Sequence, residues 1–128
     1  MRLLLDTHAL LWWWSDNPLL SHSAREVIGS SQNIVFMSAA SAWEIATKQR
    51  IGKLPKVPDV QDHFFARSVS DSFSILQIDY RHALRGGAYD IDHRDPFDRL
   101  LAAQAEMGEL TLITRDPAFD EFPVQTLW

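Results

Sequence analysis

The sequence predicts an α/β fold in which a parallel sheet carries helices on both faces. Three observations lead there. Short apolar runs of strand length alternate with longer segments that carry helix caps, an order that implies parallel strands joined by helical crossovers. The 128 residues fit one domain spanning 1–128, long enough to bury roughly two-thirds of the unfolded surface. With 46% apolar and 23% charged residues the composition is that of an ordinary globular protein, and no repeat, linker or low-complexity tract interrupts it.

The strand candidates are Leu3 to Leu5, Ile34 to Phe36, Ser74 to Ile78, Thr111 to Ile113 and Val124 to Thr126. Residues 7 to 14 and 19 to 29 read as two helices broken at Asp16-Asn17-Pro18, and Ser38 can cap a helix running to about Arg50. Gly52, Pro55 and Pro58 form the next break, followed by a helix over 59 to 68. Asp79 begins another helix, expected to end before Gly86-Gly87. Asp95-Pro96 opens a helix that runs to about Met107 with Gly108 at its end, and a short helix precedes the last strand.

Composition excludes several kinds of chemistry. The chain has no cysteine, so disulfide frameworks and thiolate zinc sites are out, and a metal would have to be held by oxygen or imidazole. Arg2 and the leucines after it superficially suggest a signal peptide, but Asp6 and His8 interrupt the run and no small-residue cleavage site follows. No other segment approaches membrane-spanning length, which makes the cytoplasm the expected location. A net charge of −5 argues against broad nonspecific attraction to nucleic acid but leaves room for a local basic track.

Four acids stand where a strand gives way to a helix or inside a helix just begun: Asp6, Glu44, Asp98 and Asp116. In open α/β sheets ligands bind beyond the carboxyl ends of the strands. If strands one and four are neighbours, all four carboxylates can reach one crevice, where like charges would raise one another's pKa values unless divalent ions neutralised them. Each acid also has an ordinary structural explanation. Asp6 fits an N-cap, Glu44 can pair with Lys48 four residues on, Asp116 can cap the turn it begins, and Asp95 and Asp98 fit the cap and third positions of one helix. Their joint placement favours a metal site.

The segments LLLDTHALLWWWSDNPLLS, SAASAWEIATKQRIGKL, HRDPFDRLLAAQA and LITRDPAF resemble, in order and over essentially the whole chain, the motif blocks of the PIN domain, in particular the VapC-type toxins of bacterial toxin–antitoxin pairs. The resemblance implies a five-stranded parallel sheet in an α/β/α sandwich and metal-dependent cleavage of RNA. It implies that Asp6, Glu44, Asp98 and Asp116 are the first to fourth acids of the family's site, and that a homodimer and an antitoxin are the protein partners. YDIDHRDPF departs from the pattern, since relatives of this subtype often carry a Leu-Pro and a second His before HRDPFDR.

The chemistry suits these residues, because Mg²⁺, or Mn²⁺ in its place, is held by oxygens and can serve attack by water on a phosphodiester. Asp6 and Asp98 are assigned as direct ligands, Asp116 as ligand or orienter, and Glu44 as ligand or water-positioning base. Thr7, Ser38 and Thr114 lie near strand ends where they could orient carboxylates or water, and Asp95 could support the same site; as caps and turn formers they are nearly as well explained. His8 and His93 are candidate bases, weighted toward structural roles. Lys48, Arg50, Lys53 and Lys56, together with Arg94, Arg99 and Arg115, could track an RNA backbone, although singly each also suits a solvated surface. Trp12, Trp13 and Trp14 cannot all face one core, so at least one is expected to be partly exposed or covered by another chain.

Other classes compete less well. A phosphorylatable receiver domain would use Asp79 as acceptor, but Asp6 has no acidic neighbour and no Lys follows Lys56. A haloacid dehalogenase-type phosphatase would want an Asp where His8 stands. A catalytically inactive binding module of the same fold remains, opposed by the intact acid set.

Overall fold

The computed structural model describes residues 1–56 and 58–128. Among them five strands form one all-parallel sheet: β1 (Arg2–Leu5), β2 (Ile34–Ser38), β3 (Ser74–Leu76), β4 (Thr111–Ile113) and β5 (Gln125–Leu127), in the spatial order β3-β2-β1-β4-β5. The chain builds outward from β1 to β3, then crosses back to place β4 on the other side of β1. The order therefore reverses between β1 and β4, which opens a crevice at their carboxyl ends.

Strand periodicity explains why both faces are covered. In β1, Leu3 and Leu5 join one apolar cluster and Leu4 the other, all fully buried. Ile113 and Leu112 divide in the same way on β4. The first cluster takes in α1 (Thr7–Trp14), α2 (His22–Gly29), α3 (Ala39–Arg50) and α4 (Val60–Asp71) through Leu10, Ile28, Ile45 and Val60. The second packs α6 (Pro96–Gly108) through Leu101, Ala102 and Ala105, with α5 (Tyr80–Ala88) laid alongside it. Full burial of one such leucine contributes about 1.5–3 kcal/mol.

Several element ends differ from expectation: α2 begins at His22 and not at residue 19, β3 ends at Leu76 and not at Ile78, and α4 continues past residue 68 to Asp71. Helix α5 runs through Gly86-Gly87 to Ala88, because Gly86 serves close packing. A Cβ there would lie 3.0 Å from the carbonyl oxygen of Arg99 on α6, so the missing side chain lets the two helices approach. Gly108 is the last residue of α6, and the left-handed cap is Glu109, at φ 53° and ψ 44°. The three tryptophans are all half-buried. Trp13 packs on Phe73 and donates to Asp71, while Trp14 meets Phe64 edge-on beneath the Arg67 guanidinium. No described helix is long and apolar enough to cross a membrane.

Candidate active site

Asp6 and Asp116 line one cavity at the carboxyl edge of the sheet, while Glu44 on α3 and Asp98 on α6 feel each other's charge. Asp6 directly follows β1, where its amide donates to Ile113 of β4 at 3.1 Å, so the backbone pins this residue to the switch point. Its side chain caps α1 by accepting from the Ala9 amide at 2.7 Å, and the residue is only 6% exposed. Burial pushes the Asp6 carboxyl above its ordinary value and the Asp116 charge adds to the rise, against hydrogen bonds from Thr114 and Ala9 and the charge of His8. Thr114 joins the pair, since its hydroxyl offsets part of the rise at Asp6 and accepts from the Asp116 amide at 3.1 Å. Asp116 is exposed and caps the short 3₁₀ helix Pro117–Glu121 through the Ala118 amide.

The second pair rides on helices. Glu44, 6% exposed, projects from α3 and receives the Lys48 ammonium at 3.0 Å. Asp98 is the third residue of α6. Burial raises its carboxyl to about 6, with the charges of Asp95 and Glu44 adding and His93 opposing. The ring of His93 places Nε2 2.8 Å from Asp98 Oδ2. Asp95 is the N-cap of α6, its Oδ1 accepting from the amides of Phe97 at 2.9 Å and Asp98 at 3.3 Å. The hydroxyls of Thr7 and Ser41 meet at 3.0 Å, tying the residue after Asp6 to the turn of α3 that precedes Glu44.

Among the described residues no three His, Asp or Glu side chains converge into a ready-made ion cage. Mg²⁺ keeps much of its water and uses one or two carboxylates plus substrate phosphate. The donors are all oxygen, and in each pair a carboxyl is biased toward its proton in the absence of a cation. These residues fit a hard divalent ion.

Several assignments change. The Ser38 hydroxyl caps α3 at Ala40 and donates to buried Gln104 at 2.5 Å, so it braces α3 against α6 and orients no carboxylate. Gln104 in turn donates to the carbonyls of Leu76 and Gln77, a role that its place in an apolar helix conceals. Arg99 is no phosphate tracker. Its guanidinium donates to the carbonyls of Gly86, Gly87, Tyr89, Ile91 and His93 at 2.5 to 3.4 Å, clamping the segment that leads into α6. Its one sequence signal is its position beside Asp98. The clamp holds the His93 backbone while the His93 ring holds Asp98, which makes His93 part of the site's support. Lys48 is engaged by Glu44, whereas Arg50 and Lys53 are exposed. His8 is exposed at the Asp6–Asp116 pair, and a groove of about 430 Å³ between α3 and α4 is lined by Trp43, Arg50 and Lys56 among others.

Comparison with known proteins places the fold. Ribonuclease VapC16 of Mycobacterium tuberculosis is 34% identical over 61 residues, a stretch covering 48% of this chain and 43% of that protein. VapBC2 from Rickettsia felis, solved bound to a DNA fragment from their promoter, superposes with a TM-score of 0.70 at 17% identity, covering 99% of this chain and 98% of that one. DNA-bound VapBC from Salmonella typhimurium does so with the same TM-score and identity over 99% and 97%. FitAcB from Neisseria gonorrhoeae gives 0.59 at 20% identity over 98% and 96%. These likenesses are of fold. The PIN domain family model matches residues 3–125, almost the whole sequence, and the chain belongs to the PIN domain family.

Proposed function

We propose that this protein is a divalent-metal-dependent endoribonuclease cleaving single-stranded or structured RNA, and that it is the toxin of a type II toxin–antitoxin pair. The observation that carries the enzymatic part is two pairs of carboxylates, Asp6 with Asp116 beyond β1 and β4 and Asp98 with Glu44 on α6 and α3, in which burial raises the Asp6 and Asp98 carboxyls. Likeness to Ribonuclease VapC16 supports ribonuclease activity, and likeness to a toxin–antitoxin complex from Klebsiella pneumoniae supports an antitoxin partner. A homodimer belongs to the same proposal.

Asp6 and Asp98 are the residues that would hold Mg²⁺ or Mn²⁺, with Asp116 as ligand or orienter. When bound, such an ion supplies Lewis acidity that makes water a better nucleophile and offsets charge on the phosphate. Thr114 keeps Asp6 and the Asp116 backbone in register, and the His93 ring leaves the second oxygen of Asp98 for the ion. Glu44, beside Lys48, is placed to hold a water proton or a coordination position. Arg50 and Lys53 contact phosphates of the bound strand.

The receiver-type alternative finds no support at Asp79, whose carboxylate is engaged by Arg81 and the amides of Arg81 and His82 and driven down to about 2. The test is cleavage of single-stranded RNA by the purified chain with Mg²⁺ or Mn²⁺. Cleavage should stop with a chelator, and the ion should raise the melting temperature by mass action. Undiminished cleavage in excess chelator would defeat the metal mechanism, and no cleavage under any ion would favour a binding module.

A further inference from the structure

Of the three consecutive tryptophans, Trp13 and Trp14 turn toward α4, and Trp12 turns to the acids. Its ring lies 5.8 Å from that of Trp128 at an edge-on 66° and 5.4 Å from His8, with the Arg115 guanidinium 4.5 Å above it. These four side chains share one open cavity of about 260 Å³ with Asp6 and Asp116. An aromatic wall made only for the core would be closed over. Here both indoles are half-buried, and His8 and Arg115 are exposed.

We propose that this cavity is a base subsite: one nucleobase next to the scissile phosphate stacks on the wall formed by Trp12 and Trp128. The inference rests on the nuclease reading and adds to it where the strand is gripped. Carboxylates repel a phosphate, so attraction must come from groups beside them. Stacking on an indole serves any base, since every base has a π face, and Arg115 can stack on the base or reach its phosphate. Charge sets the condition for entry. Arg115 is the permanent cation of the lining, set against Asp6 and Asp116, whose negative charge a bound divalent ion would offset. The lining then suits an anionic nucleotide.

The experiment measures KM and kcat for an RNA oligonucleotide of mapped cut site in Mg²⁺. Trp12→Leu should raise KM roughly 5- to 150-fold, the scale of one lost base stack, with kcat little changed and Trp12→Phe restoring most of the affinity. An abasic nucleotide at one position flanking the cut should cost the unaltered chain a similar factor and cost Trp12→Leu little more. An unchanged KM for folded Trp12→Leu would overturn the subsite while leaving the nuclease standing. If Trp12→Leu does not fold, the abasic scan on the unaltered chain decides, and no sensitive flanking position overturns the subsite. Retained KM with loss of binding to a protein partner would assign the wall to that partner instead. Absence of RNA cleavage by the unaltered chain would remove the nuclease reading and the subsite with it.

Discussion

The two halves of the candidate site are built differently. Asp6 and Asp116 sit at strand ends, where Asp6 is fixed by the β1–β4 backbone bond at 3.1 Å and by its own capping bond, and no Lys or Arg forms an ion pair with either among the described residues. Glu44 and Asp98 sit on helices and carry side-chain partners, Lys48 and His93. A strand end supplies precision through the ladder, whereas a helix face supplies it through side chains that must themselves be held. Hence the Arg99 clamp lies behind the helical half, where five carbonyls and all five guanidinium N–H groups fix the lead into α6.

The largest expected effect separates two acids within the helical half. Asp98→Asn should lower RNA cleavage by roughly 10²–10³-fold, the scale of losing one preorganised electrostatic group, with the circular dichroism spectrum unchanged. Asp95→Asn should keep substantial activity, since Asn caps nearly as well as Asp. The reverse outcome would exchange their roles. Equal inactivity in folded proteins would put Asp95 in the metal site as well.

A smaller loss should follow from removing the support alone. His93→Ala should weaken Mn²⁺ binding, measured by calorimetry, by about 10- to 100-fold as expected for an outer partner of a ligand. Unchanged Mn²⁺ affinity would mean that α6 alone positions Asp98 and that the two halves are less different than their contacts suggest.

Cations near the helical half can be separated by salt dependence. Neutralising Lys48, Arg50 and Lys53 together should flatten the log–log salt slope of RNA binding by about 0.7 per lost phosphate contact. The change should be about 1.4 if only Arg50 and Lys53 touch the strand and about 2.1 if Lys48 leaves Glu44 to join them. An unchanged slope would move the RNA track to another face.

The smallest effect concerns protonation. Burial pushes the Asp98 carboxyl up to about 6 in the folded chain against an ordinary 3.8. A raised folded value favours the native state below about pH 4, and that contribution is lost as pH rises through 6. In metal-free buffer Asp98→Asn should therefore gain stability relative to the parent between pH 4 and 7. The gain should be about 1 kcal/mol once solvent screening and the lost helix-end charge are allowed for. A flat difference across that range in urea titrations would show that burial does not govern this carboxyl.

Local signals in the chain were sufficient for much of this. The leucines of β1, the caps Ser38, Asp79 and Asp95, and Pro96 at the start of α6 all act within a few residues of themselves, so spacing and residue type reveal them. The positions of the four acids follow from signals on the same scale, Asp6 and Asp116 after strands, Asp98 in the first turn of α6 and Glu44 within α3. Gly86 misled because a glycine that permits close helix packing looks the same in sequence as one that stops a helix. Strand order, the pairing of Asp6 with Asp116 and of Glu44 with Asp98, the Arg99 clamp, the Ser38–Gln104 brace and the meeting of Trp12 with Trp128 needed the folded chain. They join residues far apart in sequence or set by loop geometry, and such contacts follow from how the layers pack, which no short window of sequence encodes.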